Sequence, residues 1–142
     1  MSFTQGQTTI FKKNLLSGLE NFAAGTTYVY KIALYTSLAT LDSSTLIYTT
    51  SNEIVGGGYT AGGKTLTPIV PAVDFINNTA YISFDNVVWT SASFTTRGAL
   101  IYNSTTSAAI CVLDFGSNKT ASGTFTITFP SATSTTAVIL LN

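Results

Sequence analysis

The sequence predicts an all-β fold: an antiparallel β-sandwich or jelly roll of about eight strands with one short N-terminal helix. Three observations carry this. From Thr27 onward, β-branched and aromatic residues come in short runs. Clusters of Gly, Asn, Ser and Thr separate the runs at regular intervals. No helical period stands between them to carry a parallel crossover. At 142 residues the chain is expected to make one domain, long enough to close a two-layer core without metal or disulfide. Residues 1–9 are expected as a flexible N-terminal arm and 10–142 as the single β-sandwich domain.

The arm, Met1 to Thr9, is mostly polar and has no period. In IFKKNLLSGLENF the apolar residues Phe11, Leu15, Leu19 and Phe22 recur three or four apart and share one helical face. Gly18 weakens that helix and Gly25 can end it, so two or three turns are expected. Thr27 to Thr36 alternates, with Tyr28, Tyr30, Ile32 and Leu34 toward the core and Lys31 away from it. Leu46 to Thr49 is a weaker strand. The segment from Glu53 to Gly63 holds three consecutive glycines, Gly56 to Gly58. Gly63-Lys64-Thr65 leads into a strand-like run and not into a helix, so the phosphate-loop reading gives way to a bulged turn or close backbone contact. Pro68 and Pro71 confine their neighbourhood to an edge strand or a connection. Val73 to Ile76 and Thr79 to Phe84 flank Asn77-Asn78, which predicts a tight hairpin with a two-residue turn, because Asn tolerates positive φ. Further strands are expected at 87–90, 98–102, 109–115, 124–129 and 137–141.

Charged residues make up 8% of the chain, against about 25% in ordinary soluble domains. Ser and Thr, together more than a quarter of the residues, take their place. Six basic and six acidic side chains cancel, so little repulsion keeps copies apart, and self-association as a dimer or trimer is expected. Lys12-Lys13 are the only adjacent bases, which argues against a nucleic-acid face. No apolar run approaches the ~20 residues of a membrane span. The start offers no apolar signal-peptide core, so the chain is expected to begin near Met1 and to fold in a cytoplasm.

The search for chemistry returns little. Without His, the Ser-His-Asp and Cys-His arrangements and the His-based zinc sets have no members. Cys111, in an apolar run, reads as a small buried hydrophobe. Six carboxylates remain: Glu20, Asp42, Glu53, Asp74, Asp85 and Asp114. A glycosidase would need two of them across a cleft. Asp85 and Asp114 sit beside strand ends, where turn and backbone hydrogen bonding is the expected role. No Asp-x-Asp-x-Asp run offers a calcium loop. The Asn-x-Ser/Thr sequons at Asn77, Asn103 and Asn118 are about what chance gives in so Ser/Thr-rich a chain. Trp89, Tyr48, Tyr59 and Tyr102 read as core or interface filling, with a sugar-stacking platform as the alternative. The chain therefore reads as a non-enzymatic structural or binding module without cofactor or metal.

Taken in order, NLLSGLENF, KIALYTS, NEIVGGGYTAGG, FDNVVWT, RGALIYNSTT and AICVLDFGSNKTASGTFTITFP resemble a family of small virion structural proteins of tailed bacteriophages. The pieces span most of the chain from Asn14 to Leu141. The resemblance implies a repeated, non-enzymatic component of the virion, assembled in the host cytoplasm. Members are described as capsid decoration or cement proteins and in some cases as tail proteins. The partners implied are the major capsid protein or other virion proteins, together with further copies of the chain. A neck, tail or fibre component, or a receptor- or carbohydrate-binding module, is the alternative. The family has no functional motif to carry over. The apolar residues in and after the arm, Phe3, Ile10 and Phe11, are the candidate assembly interface, with the arm expected to become ordered on a neighbour.

Overall fold

The computed structural model describes residues 2–141. Among them are eight strands and one helix: β1 (Gly6–Gln7), α1 (Thr9–Leu16), β2 (Tyr30–Tyr35), β3 (Lys64–Thr65), β4 (Ala72–Asp74), β5 (Thr79–Ile82), β6 (Val87–Asn103), β7 (Ala109–Ile127) and β8 (Ile139–Leu141). They form two antiparallel sheets, ordered β1-β7-β6-β2-β3 and β4-β5-β8. The all-β, sandwich-like fold expected from the sequence is thus the one observed.

Helix α1 is shorter than its apolar period. Thr8 caps it by accepting from the Phe11 amide. Gly18, at φ +72, closes it: its own N–H reaches Leu15 O, and the Leu19 N–H reaches Asn14 O. This is the paired closure that a left-handed glycine permits. Leu19 and Phe22 therefore lie beyond the helix, and Phe22 reaches the core from the following loop, stacking on Tyr30 with ring centres 4.5 Å apart.

The core has two parts because β2 is covered on both faces. Ile32 and Leu34 enter the larger cluster, with Phe11, Phe84, Trp89, Ile101 and Ile139. Ala33 and Tyr35, on the other face, pack with Leu41, Leu100, Tyr102 and Val112 under the 36–53 connection. The alternation in the sequence marks only the first of these faces. The small Ala33 and the amphipathic Tyr35, whose hydroxyl donates to Thr49 O at 2.6 Å, occupy the second without an apolar signature.

Four expected strands are two. The runs at 87–90 and 98–102 join into β6, and those at 109–115 and 124–129 join into β7. Irregularities take up the polar residues between the runs. Register shifts fall between Trp89 and Ala92 and between Thr96 and Gly98, Ser91 has φ +52, and residues 115–118 of β7 bulge opposite the single Arg97. The glycine segment lies on the first bend. A Cβ on Gly57 would stand 2.0 Å from Ser93 O and one on Gly58 2.5 Å from Ser91 O, so the close backbone contact read from the three glycines is what the structure has. The hairpin at 72–82 also forms, with a longer turn than expected. Asp74 pairs with Thr79, leaving Phe75 to Asn78 as a four-residue loop. The Asp74 carboxylate sets that loop by accepting from the Ile76 and Asn77 amides.

The N-terminal arm differs most from expectation; of its residues, Met1 lies outside the described ones. Gly6 and Gln7 pair with Val112 and Cys111, Phe3 bridges Leu41, and the fully buried Thr8 donates its hydroxyl to Ala109 O at 3.1 Å. The segment is an edge strand of its own domain. Its polar residues reach order through backbone pairing, which composition does not report.

Candidate functional site

The three residues expected at an assembly interface face inward to different degrees. Phe11 is completely buried in the larger cluster, which corrects its assignment to a surface. A side chain with no exposure offers a partner nothing to bury. Ile10 is half-buried against the smaller cluster. Phe3 is half-buried over Gly98, where an added Cβ would come within 2.5 Å of its ring, and the Arg97 guanidinium stands 5.6 Å from its centre. All three hold the N-terminus to the domain.

The carboxylates are mostly committed to local structure. Glu53 is buried and accepts from the Tyr59 hydroxyl at 2.5 Å, the Tyr48 hydroxyl at 2.6 Å and the Gly62 amide at 2.7 Å. Tyr59 in turn accepts the Leu34 amide, so the cluster ties the glycine segment to β2. Burial, followed by the neighbouring carboxylate, pushes both tyrosine hydroxyls well above their ordinary range. Asp114 pairs with Arg97 and accepts from the Gly116 amide, and these contacts hold its carboxyl below the usual value. Asp42 is lowered by the hydroxyl and amide of Ser44. Asp74 is held down at about 2 by Ser134 and Asn77. Asp85 is exposed.

The aromatic candidates for a sugar platform are core residues. Trp89, Tyr59 and Tyr102 are buried, and Tyr48 is half-buried with its ring stacked on Tyr102 at 4.5 Å. Cys111 is buried, and burial alone pushes its thiol up to about 12, which keeps it protonated and unreactive. Among the described residues, no three of His, Cys, Asp or Glu come together as a metal set.

Two features stand out from this closed interior, and they lie at opposite ends of one hairpin. At its tip, Phe75 is 86% exposed and Ile76 92%, with Val73 at 55% beside them on β4. At its base is an apolar groove of about 260 Å³ between α1, β5 and β8, walled by Phe11, Leu15, Phe22, Pro71, Ala80 and Leu141. Among the described residues, Glu20 is the only carboxylate that lines it. Its Oε1 accepts from the Tyr30 hydroxyl at 3.1 Å and the Asn103 amide at 2.9 Å, while its buried Oε2 has no donor in hydrogen-bonding geometry. Burial raises the Glu20 carboxyl above its ordinary 4.5, and the neighbouring Asn103, Tyr30 and Asn14 offset this only in part.

The raised carboxyl has a consequence for stability. A native state that holds the Glu20 proton more tightly than the unfolded chain contributes stability below pH 4.5, and loses it as pH rises through the folded value. Replacing Glu20 with Gln removes this dependence. Urea unfolding at pH 4 and pH 8 is expected to show the wild type losing ground to Glu20→Gln at the higher pH. A constant difference between the two proteins would refute the assignment.

Nothing in this site was marked by a sequence motif. The Phe75-Ile76 pair is the available sequence signal for the tip, but inside a predicted strand it reads as strand pairing. Compared with family models, with curated proteins and with solved structures, the chain has no match in any of the three.

Proposed function

We infer that the chain is a non-enzymatic structural protein of a virion, a cement or decoration protein that binds the outer lattice of a tailed-phage head. The observation that carries this reading is the tip: a Phe and an Ile almost wholly exposed, side by side, at the turn of a paired hairpin. Contiguous exposed apolar surface of this kind marks a protein–protein interface. The nearly uncharged, Ser/Thr-rich surface supports the same reading, since it opposes neither copies nor capsid subunits electrostatically. So does the engagement of Glu53, Asp42, Asp74 and Asp114 in local hydrogen bonds and one ion pair, which gives them structural work. The virion assignment itself comes from the resemblance of the ordered sequence pieces.

The test is the composition and behaviour of purified particles. Quantitative mass spectrometry should find the protein in hundreds of copies per particle, as a shell component requires. Particles lacking it should release their DNA at a lower temperature, or on milder osmotic shock, than complete ones. About a dozen copies would transfer the protein to the neck or tail. Robust particles that fail to adsorb to cells would make it a receptor-binding module, and absence from particles would sink the structural reading altogether.

A further inference from the structure

We propose that copies of the chain associate by seating the Phe75–Ile76 tip of one copy in the apolar groove of the next, between α1, β5 and β8. This rests on the structural reading above and names one partner as a second copy. The groove's size favours a protein side chain as occupant. At about 260 Å³ it falls below the ~300–1,000 Å³ of small-molecule pockets. Its walls are apolar, and the Phe75–Ile76 tip offers a matching surface, two adjacent large apolar side chains at 86% and 92% exposure. The tip cannot fill its own groove. Pro71, Ala80 and Tyr81 wall the groove from the base of the same hairpin, and the tip stands ~10 Å farther along the strands.

Charge agrees with this partner. With zero net charge, copies approach without repulsion. Tip and groove are different surfaces, so the contact is heterologous and able to close a ring or extend along a lattice.

The test uses one tip variant, two groove variants and tip–groove mixtures. Phe75→Ser/Ile76→Ser removes the tip at exposed positions. Ala80→Arg fills the groove, and Leu141→Lys, at an exposed wall residue, is the groove variant that threatens the fold least. Circular dichroism and melting check that each variant folds. In sedimentation velocity the wild type should gain mass with concentration. Each variant alone should associate roughly 30-fold or more weakly, the effect expected of anchor residues. An equimolar mixture of tip and groove variants should form a 1:1 complex, because one supplies an intact groove and the other an intact tip. A wild type that stays monomeric at millimolar concentration, variants that associate like wild type, or a mixture that stays monomeric would each overturn the proposal. The structural reading fails separately, through absence of the protein from particles.

Discussion

Gly63→Ala is expected to unfold the protein or to cost on the order of 4 kcal/mol, at the severe end of single substitutions. An added Cβ would lie 1.7 Å from the Ile32 carbonyl oxygen and 2.7 Å from its carbon, and the backbone at Gly63 holds φ +77. Neither side can yield cheaply. Ile32 pairs with Ile101 on one side and Lys64 on the other, in a strand buried on both faces, so moving it disturbs both clusters. Gly116→Ala separates clash from backbone strain, since it too has positive φ (+81) but open space around its Cβ. It should lose only the ~1–2 kcal/mol of a left-handed L-residue. Urea midpoints of the two variants decide it. If Gly63→Ala proves as mild as Gly116→Ala, the close approach of the 62–63 turn to β2 is wrong.

Glu53→Ala is expected to lose about 3–5 kcal/mol, because it strands several buried donors at once. Three donors aim at this carboxylate: two tyrosine hydroxyls and the Gly62 amide. Each donor left buried without an acceptor costs about 1–3 kcal/mol. Glu53→Gln should be far milder. Its carbonyl oxygen can keep the Tyr59 and Gly62 bonds, and the Tyr48 hydroxyl can rotate to accept from the new amide. Thermal melting should show the contrast, at about 2–4 °C per kcal/mol for a chain of this size. An alanine variant no worse than the glutamine would mean that the cluster is not satisfied as described. These losses should appear as lower stability, with the proposed tip-mediated association unaffected under conditions where the protein stays folded.

The six carboxylates show how the sequence reading succeeds and where it stops. Counting residue types was enough to remove histidine chemistry, because an absent residue is absent from every fold. The same count could not separate Glu53, held by three donors, from Asp85, exposed at a strand end. Asp114 accepts a backbone amide as expected, that of Gly116, but from within β7 and not beside a strand end. Its ion pair with Arg97, 17 residues away, depends on the β6–β7 register. The groove was less legible still. Phe11 and Leu15 come from α1, Pro71 and Ala80 from the hairpin, and Leu141 from the last strand, so no local window contains the site.

The sequence by itself determined the β class, the single short helix, the close backbone contact of the glycine segment, the hairpin between Val73 and Phe84, and a surface with little charge. Each follows from propensities or composition that act over a few residues, and needs no knowledge of which segments meet. The tertiary structure decided the rest. It joined four predicted strands into two, covered the second face of β2, drew the arm onto β7 and put Phe11 inside. It also left Phe75 and Ile76 outside. A polar arm with one bridge and two strand residues, or a Ser/Thr-rich bend in β6, carries no apolar period. Its order comes from backbone hydrogen bonds to residues about 100 positions away, as between Gly6 and Val112, or from a glycine approaching Ser93 from the far side of the sheet. Periodicity reports which side of one element is apolar, and only the packed chain determines whether anything covers it.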